Sequence, residues 1–393
     1  MLSNSTYPPK EGQHANHVLL MQGLAAKGWQ IRLITLVRDA SQFDAVALAQ
    51  AVPGLQPAQV LYTKLNYPLL LLRHLLPWPV PLSGVARAVA NMARAHPSAV
   101  FHLEGIGLLP LVAGLRGRVV VVTTTDAWSL RQQRLAARAP AGLRRWFLRT
   151  YAGLSAWAER RFLPLASAAQ VVSPADAAYL RQQVPAARVH CIPIALPVPP
   201  QVAAAWPGGL GQAVRTVLFW GDIRVAHIAD GLQWLLVEVL PLVRLPAQWV
   251  VLGRGKPPAA LQEAAPGICF VDWVQDIDAF LQSATLVVLP DAAGTGLKNR
   301  AIHAMACGVP VVGTPQAFEG FAAVDGQHAM VRATPQAFAD AINELLADPV
   351  RARQMACQGR QFAVQGYSLD AVAAQWAALY SGALQRAGEG GLA

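Results

Sequence analysis

The residues best able to do chemistry stand close together in 289–315, LPDAAGTGLKNRAIHAMACGVPVVGTP. An apolar run closes at Pro290, and a short segment of Gly294, Thr295 and Gly296 leads through Leu297 and Lys298 into a helical pattern opening at Asn299. Small residues before a helix leave backbone N–H groups exposed, and the helix dipole favours negative charge there. A lysine at the loop exit adds a full positive charge. A diphosphate held without a metal needs such a site. The same pattern also builds an ordinary tight βα turn, so by itself it leaves both readings open. His303, one turn into the helix, is either a hydrogen-bonding group for a ligand or a core histidine. In the first half, His102 and Glu104 end an apolar run, as ligand contacts or as a structural pair. His14 lies beside Gly12, and Trp273 reads as a wall for a flat ring.

These residues need a frame, and the chain supplies one twice. Apolar, β-branched runs at 30–37, 99–103, 118–125, 168–173 and 188–194 read as strands, with helical patterns at 17–27, 131–161 and 174–182. Segment 192–212 holds five prolines and three glycines and reads as a linker. Beyond it come strands at 216–220, 248–252, 268–271, 286–289 and 310–313. Helices are expected at 231–242, 277–283, 299–306, 335–347, 350–362 and 369–384, the last after Ser368 as N-cap, with 387–393 frayed. The opening, 1–4, leaves barely three residues for a first strand, where about five or six are usual. Two βα halves imply two doubly wound sheets, with ligands at the carboxyl ends of the strands.

With the elements in place, the stretch from Gly294 resembles the nucleotide-sugar site of GT-B glycosyltransferases of family 4 (group 1), in the polysaccharide-biosynthesis branch whose signature resembles G-x-x-L-K-x-x-x-x-E-A-M-A-x-G-x-P-V-V. Leu297, Lys298, Ala304, Met305, Ala306, Gly308, Pro310, Val311 and Val312 match it, and Glu319-Gly320 follows Thr314-Pro315 as in T-P-x-x-x-E-G. Phe219-Trp220-Gly221 with Asp230-Gly231-Leu232, the turn Leu252-Gly253-Arg254-Gly255, and the run from Phe270 to Val274 with Asp276 resemble further segments of that branch. So do Tyr7-Pro8-Pro9 with Gly12-Gln13, and Val172-Ser173-Pro174-Ala175-Asp176. The similarity spans nearly the whole chain. It also shows departures. Thr295 and His303 stand where relatives carry two glutamates, the second of which holds the ribose. Thr125, followed by Asp126, replaces a histidine; Ile194-Ala195 replaces an Asn-Gly; and Asp222 takes the place of a diphosphate-clamping arginine, leaving Arg224 or His227 to supply that charge.

The resemblance implies an α/β, GT-B protein of two Rossmann-like domains facing across a cleft: 1–195 for the acceptor, 196–367 for the nucleotide-sugar, and 368–393 as a helix packing back toward the first domain with a frayed tail. It implies a retaining, metal-independent sugar transferase with no cofactor, a UDP- or GDP-linked sugar as donor, and a glycan or lipid-linked hydroxyl as acceptor. Lys298, Arg224 and Asp126 are expected to be catalytic. The donor is expected at Gly12, Gln13, Gly221, Gly253, Arg254, Trp273, Val274, Gly294, Thr295, Gly296, Leu297, Asn299 and His303, and the acceptor at His102, Glu104 and Thr125. The Gly12-Gln13 loop would close over the diphosphate.

Composition narrows the setting. Of 393 residues, 54% are hydrophobic and 14% charged, which excludes a disordered chain. The long uncharged stretches are cut by prolines and would not span a membrane. Residues 1–12 lack the basic start and apolar core of a secretory signal. The four cysteines show no CxxC spacing, so buried thiols in the cytoplasm and no metal are expected. The charge is lopsided: residues 1–200 hold 20 Lys/Arg against 7 Asp/Glu, a balance of +13, while 201–393 carry −3. Arginines crowd 131–161 among aromatic residues, which suits an anionic membrane surface at the inner face of the plasma membrane as well as a plain solvated helix face. The isoelectric point near 9.9 raises nucleic acid as a partner, but no aromatic-basic sheet motif or helix-turn-helix accompanies it, so none is expected. A catalytically silent GT-B protein and a GT-B-like epimerase are the remaining alternatives.

Overall fold

The computed structural model describes residues 1–3, 7, 12–37, 40–62, 83–196, 198–199, 215–255, 267–291 and 299–389. The chain divides into two compact units, Met1–Ala195 with Leu369–Ala393, and Leu196–Ser368.

The first unit is built on seven parallel strands: β1 (Leu2–Ser3), β2 (Ile31–Val37), β3 (Leu55–Tyr62), β4 (Val100–Glu104), β5 (Val119–Thr125), β6 (Ala168–Val171) and β7 (Val189–Cys191), in the order β3-β2-β1-β4-β5-β6-β7. Strand β5 reads VVVVTTT and is buried along six of its seven residues, because helices cover both faces of a parallel sheet. Its helices are α1 (Gly12–Ala26), α2 (Ala45–Ala51), α3 (Ser83–Ala95), α4 (Trp128–Arg138), α5 (Leu143–Phe162) and α6 (Pro174–Gln183), with the chain's last helix, Leu369–Glu389, returning to pack on α1. That packing is close: a Cβ on Gly23 would fall 2.6 Å from the Cβ of Ala373.

The expected single helix over 131–161 is two helices. Pro140 removes a donor and Gly142, at φ 138°, leaves the helical region, so α4 ends and α5 begins anew. Gly12 and Gln13 lie in the first turn of α1 and not in a loop. Strand β3 and helices α2 and α3 were not foreseen.

The second unit repeats the plan with six parallel strands: β8 (Thr216–Trp220), β9 (Gln248–Leu252), β10 (Ile268–Val271), β11 (Leu286–Leu289), β12 (Val311–Gly313) and β13 (Met330–Val331), ordered β10-β9-β8-β11-β12-β13. Its helices are α7 (Ala226–Trp234), α8 (Ile277–Gln282), α9 (Asn299–Ala306), α10 (Pro335–Ala347) and α11 (Pro349–Tyr367); the last helix of the chain is α12. Helix starts are set by side chains: Asp276, Thr334 and Asp348 accept from the N–H groups of Ala279, Ala337 and Val350. Helix α12 runs on to Glu389, so 387–389, expected to fray, are helical, and 390–393 lie outside the described residues. Of the linker expected at 192–212, only 192–196, 198 and 199 are described, and there Leu196 bridges to Ser368.

Candidate active site

In the second unit the chemistry gathers where β8 to β11 end. Gly221 donates from its N–H to the carbonyl of Leu252, and Gly253 donates to Val271, which stitches the strand tips together. The closeness demands glycine: at Gly253, φ 156°, a Cβ would lie 1.7 Å from the Gly221 oxygen, and at Gly231 it would lie 2.0 Å from the Pro290 oxygen. The backbone is thereby laid bare at the edge where ligands of doubly wound sheets bind.

Charges surround this edge. Arg224 donates from Nε and Nη2 to the two carboxylate oxygens of Asp222, at 2.9 and 2.6 Å. Hydrogen bonding to Arg224 holds the Asp222 carboxyl down at about 2. Arg224 is thus a charge-compensated residue on an exposed turn rather than the free cation expected from the sequence. Arg254, also exposed, adds positive charge toward Asp222, and its carbonyl accepts from the N–H of Ile223.

Arg300 was missed. It donates from Nη1 to the Trp220 carbonyl and from Nη2 to Oδ1 of Asp291 at 2.6 Å, tying the end of β8 to the end of β11. Asp291 is buried, its Oδ2 has no hydrogen-bond partner among the described residues, and its carbonyl accepts from Thr314 Oγ1 at 2.7 Å. A sequence signal existed: an arginine in the first turn of a helix opposes the macrodipole and calls for a compensating carboxylate.

The expected ribose contact also changes. His303 Nε2 lies 2.5 Å from Oδ1 of Asp278, and its ring packs edge-to-face on Trp220 with centroids 5.4 Å apart. His303, expected at the ribose, thus has its Nε2 already paired with Asp278. Cys307 Sγ lies 3.7 Å from the same oxygen; burial and then Asp278 push its thiol well above the usual range. Trp273 is 64% exposed beyond β10, Val274 half-buried, and Asn299 opens α9 on the surface. Gly294, Thr295, Gly296, Leu297 and Lys298 lie outside the described residues.

In the first unit, Thr125 ends β5 at φ 65°, a left-handed conformation that a β-branched residue rarely adopts. It turns the chain toward Asp126, whose carboxyl is raised by burial against the pull of Arg131. His102 and Glu104, expected at the acceptor, are buried in the core, which favours the structural pairing over the acceptor contact. His102 Nε2 meets Thr123 Oγ1 at 2.7 Å, its Nδ1 meets the Tyr380 hydroxyl at 2.7 Å, and the ring stacks on Trp376. Burial lowers its pKa to about 4. Glu104 Oε2 lies 3.0 Å from His17 Nδ1. Burial pushes the Glu104 carboxyl up, but His17 and His102 outweigh that and bring it below the ordinary value. The thiols are free: Cys307 is buried and Cys191 half-buried, while Cys269 and Cys357 are exposed, against the expectation that all are buried. No described helix is long and apolar enough to cross a membrane.

Residues 16–197 match the profile described as Glycosyltransferase Family 4, and residues 214–348 match that described as Glycosyl transferases group 1. Among solved structures, sucrose-phosphate synthase from Thermosynechococcus elongatus is 20% identical, with TM-score 0.65 over 97% of this chain and 98% of that one. HepE from Anabaena in complex with UDP is 16% identical, also at 0.65, over 97% and 98%. WaaG, a glycosyltransferase involved in lipopolysaccharide biosynthesis, is 16% identical at 0.58 over 97% and 99%. A search of curated protein sequences finds no significant match. The two profiles cover the two units in turn, the fold is shared from end to end, and the chain belongs to the GT-B glycosyltransferases of family 4 (group 1).

Proposed function

We propose that this glycosyltransferase moves a sugar from a UDP- or GDP-linked donor to a hydroxyl of a glycan or lipid-linked acceptor in surface-polysaccharide assembly, with retention and without a metal. The observation carrying this reading is the glycine-closed carboxyl edge of the six-stranded sheet, with Arg224, Arg254 and Arg300 around it. Departure of the nucleoside diphosphate leaves charge on its phosphates. Fixed N–H groups and cations stabilise that charge more in the transition state than in the bound donor. Lys298, the amides of 295–299, and Arg224 once released from Asp222 would supply them, while Trp273 would stack on the base. Thr125 and Asp126 would meet the acceptor from the first unit. Structures of Anabaena HepE with UDP and with UDP-glucose favour uridine over guanosine. A catalytically silent binder is the second reading, favoured by the Asp222–Arg224 pairing and by Thr295 and His303 standing where the resemblance has carboxylates.

Calorimetric titration with UDP, GDP and their sugars, followed by turnover assays and NMR of the product anomer, tests both readings. Binding of UDP is expected, with Lys298→Ala weakening it by about 1.5–3 kcal/mol through loss of a charge-assisted contact. Unchanged affinity in that variant would remove Lys298 from the donor site. Tight binding with neither transfer nor hydrolysis across the panel would select the silent reading.

A further inference from the structure

Three metal-ligating side chains come together on the second unit. Asp278 is the second residue of α8, His303 lies in the last turn of α9, and Cys307 follows that helix directly. His303 and Cys307 are four residues apart, a spacing that puts both on one side of a helical turn. Their Nε2 and Sγ reach the same carboxylate oxygen, Asp278 Oδ1, at 2.5 and 3.7 Å, and the three ligand atoms all lie within 4.8 Å of one another. We propose that this trio binds a thiophilic divalent metal ion, with zinc the favoured occupant.

The donor set selects the ion. Zinc accepts thiolate sulfur at about 2.3 Å and imidazole nitrogen or carboxylate oxygen at about 2.0–2.2 Å, with tetrahedral angles. Those lengths place neighbouring donors about 3.3–3.7 Å apart. The Sγ–Oδ1 separation already fits, and the Nε2–Oδ1 hydrogen bond must open by about 0.8 Å to admit the ion. Magnesium and calcium require oxygen cages and have no use for a thiol. A thiolate and a carboxylate together cancel the charge of a divalent ion, so the complex is neutral in a largely buried place, where an unbalanced charge would be costly.

Access is graded. Side-chain exposure is 33% at Asp278 and 14% at His303, while Cys307 is buried, so an ion enters past the carboxylate and meets the sulfur last. On binding, the Cys307 S–H breaks, its proton leaves to solvent, and the sulfur bonds the metal. The His303 proton moves from Nε2 to Nδ1, freeing the Nε2 lone pair. No electron is transferred. The fourth position opens on the Asp278 side for water. The ion clamps α8 to α9 and fixes the His303 ring against Trp220, and none of this depends on the nucleotide reading.

The test uses the full chain, stripped of metal and titrated with Co²⁺ as a spectroscopic stand-in. One equivalent is expected to bind with a thiolate-to-cobalt charge-transfer band, release a proton, and be displaced by Zn²⁺. Cys307→Ser should abolish the band, whereas Cys269→Ser and Cys357→Ser, which alter exposed thiols, should keep it. Should Cys307→Ser fail to fold, Asp278→Asn decides, because that residue is partly exposed; at least a tenfold loss of affinity is expected. Absence of the band in the unaltered chain overturns the proposal. So does a band that survives Cys307→Ser, or affinity retained in Asp278→Asn. UDP binding measured alongside stands or falls separately.

Discussion

At the scale of single residues, the left-handed Thr125 is the clearest place where conformation and chemistry are in tension. A β-branched residue at φ 65° costs about 1–3 kcal/mol, and it does so at the carboxyl end of a central strand, beside the half-buried Asp126, whose carboxyl pKa is raised. Glycine would relieve that strain, although it also loosens the unfolded chain by about 0.4–1 kcal/mol. Thr125→Gly is therefore expected to raise stability by about 1 kcal/mol, measured by denaturant titration, while lowering turnover because Asp126 is no longer aimed. Thr125→Val keeps the branching and the strain but deletes the hydroxyl. Unchanged stability with lost turnover in that variant assigns the hydroxyl a direct contact; unchanged turnover in both variants would show that the strained turn serves the fold alone.

At the scale of elements, the returning helix α12 is held to the first sheet by a buried polar chain as well as by Trp376 and Leu379, which share a core cluster with Val121 and Ala168. The Tyr380 hydroxyl hydrogen-bonds His102 Nδ1, and the opposite nitrogen pairs with Thr123. Tyr380→Phe leaves that nitrogen buried and unpaired, at an expected cost of about 1–3 kcal/mol. The same chain makes stability depend on pH. Folded, the ring stays neutral down to about 4; unfolded, it takes a proton near 6.5. Between those values the unfolded state binds more protons, so stability present above pH 6.5 is lost on acidification, by an amount on the order of 3 kcal/mol. Glu104, lowered in the fold, adds a further loss below its unfolded value. Calorimetric melting of the chain from pH 7 to pH 4 checks this, and His102→Gln should flatten the upper part of the profile. A profile equally steep in that variant would place the sensitivity elsewhere. These contacts explain what could be read in advance. Strands such as β5 and β11 announce themselves by apolar runs, and α9 and α10 by periodicity. Strand β3, LQPAQVLY, does not, because its proline and glutamines disguise an edge strand. The glycine turns at Gly221 and Gly253 were legible from resemblance. The partners of His102, His303 and Arg300 lie 278, 25 and 9 residues away, and only the folded chain brings them together.

At the scale of the whole molecule, the uneven charge has a structural seat. The excess of +13 belongs to residues 1–200, and its densest part is α4 and α5. On α5 the spacing of Leu143, Trp146, Arg149, Trp157 and Arg160 sets them along one face of the helix, and all five are exposed, Leu143 at 85% and Trp146 at 62%. The opposite face, with Ala152, Ser155, Ala158 and Glu159, is buried. Exposed indole rings alternating with arginines match the level of lipid headgroups, where rings lodge and cations meet anionic lipid. Each basic residue near such a surface contributes about 1 kcal/mol, so a few in contact hold a protein reversibly. An enzyme whose acceptor is lipid-linked would gain from that attachment. The competing view is a helix face that simply dissolves well, and tryptophans at 146 and 157 weigh against it because solvation alone gives them no role. Sedimentation with vesicles decides. Binding to anionic but not neutral vesicles is expected, weakened by salt because the attraction is screened over about 8–10 Å at physiological ionic strength. Replacing Trp146 and Trp157 together by alanine should reduce binding at every salt concentration, whereas Arg149→Glu with Arg160→Glu should remove its salt dependence along with most of its strength. Equal and negligible pelleting with both lipids would leave this face an ordinary solvated one and return the basic excess to the service of solubility.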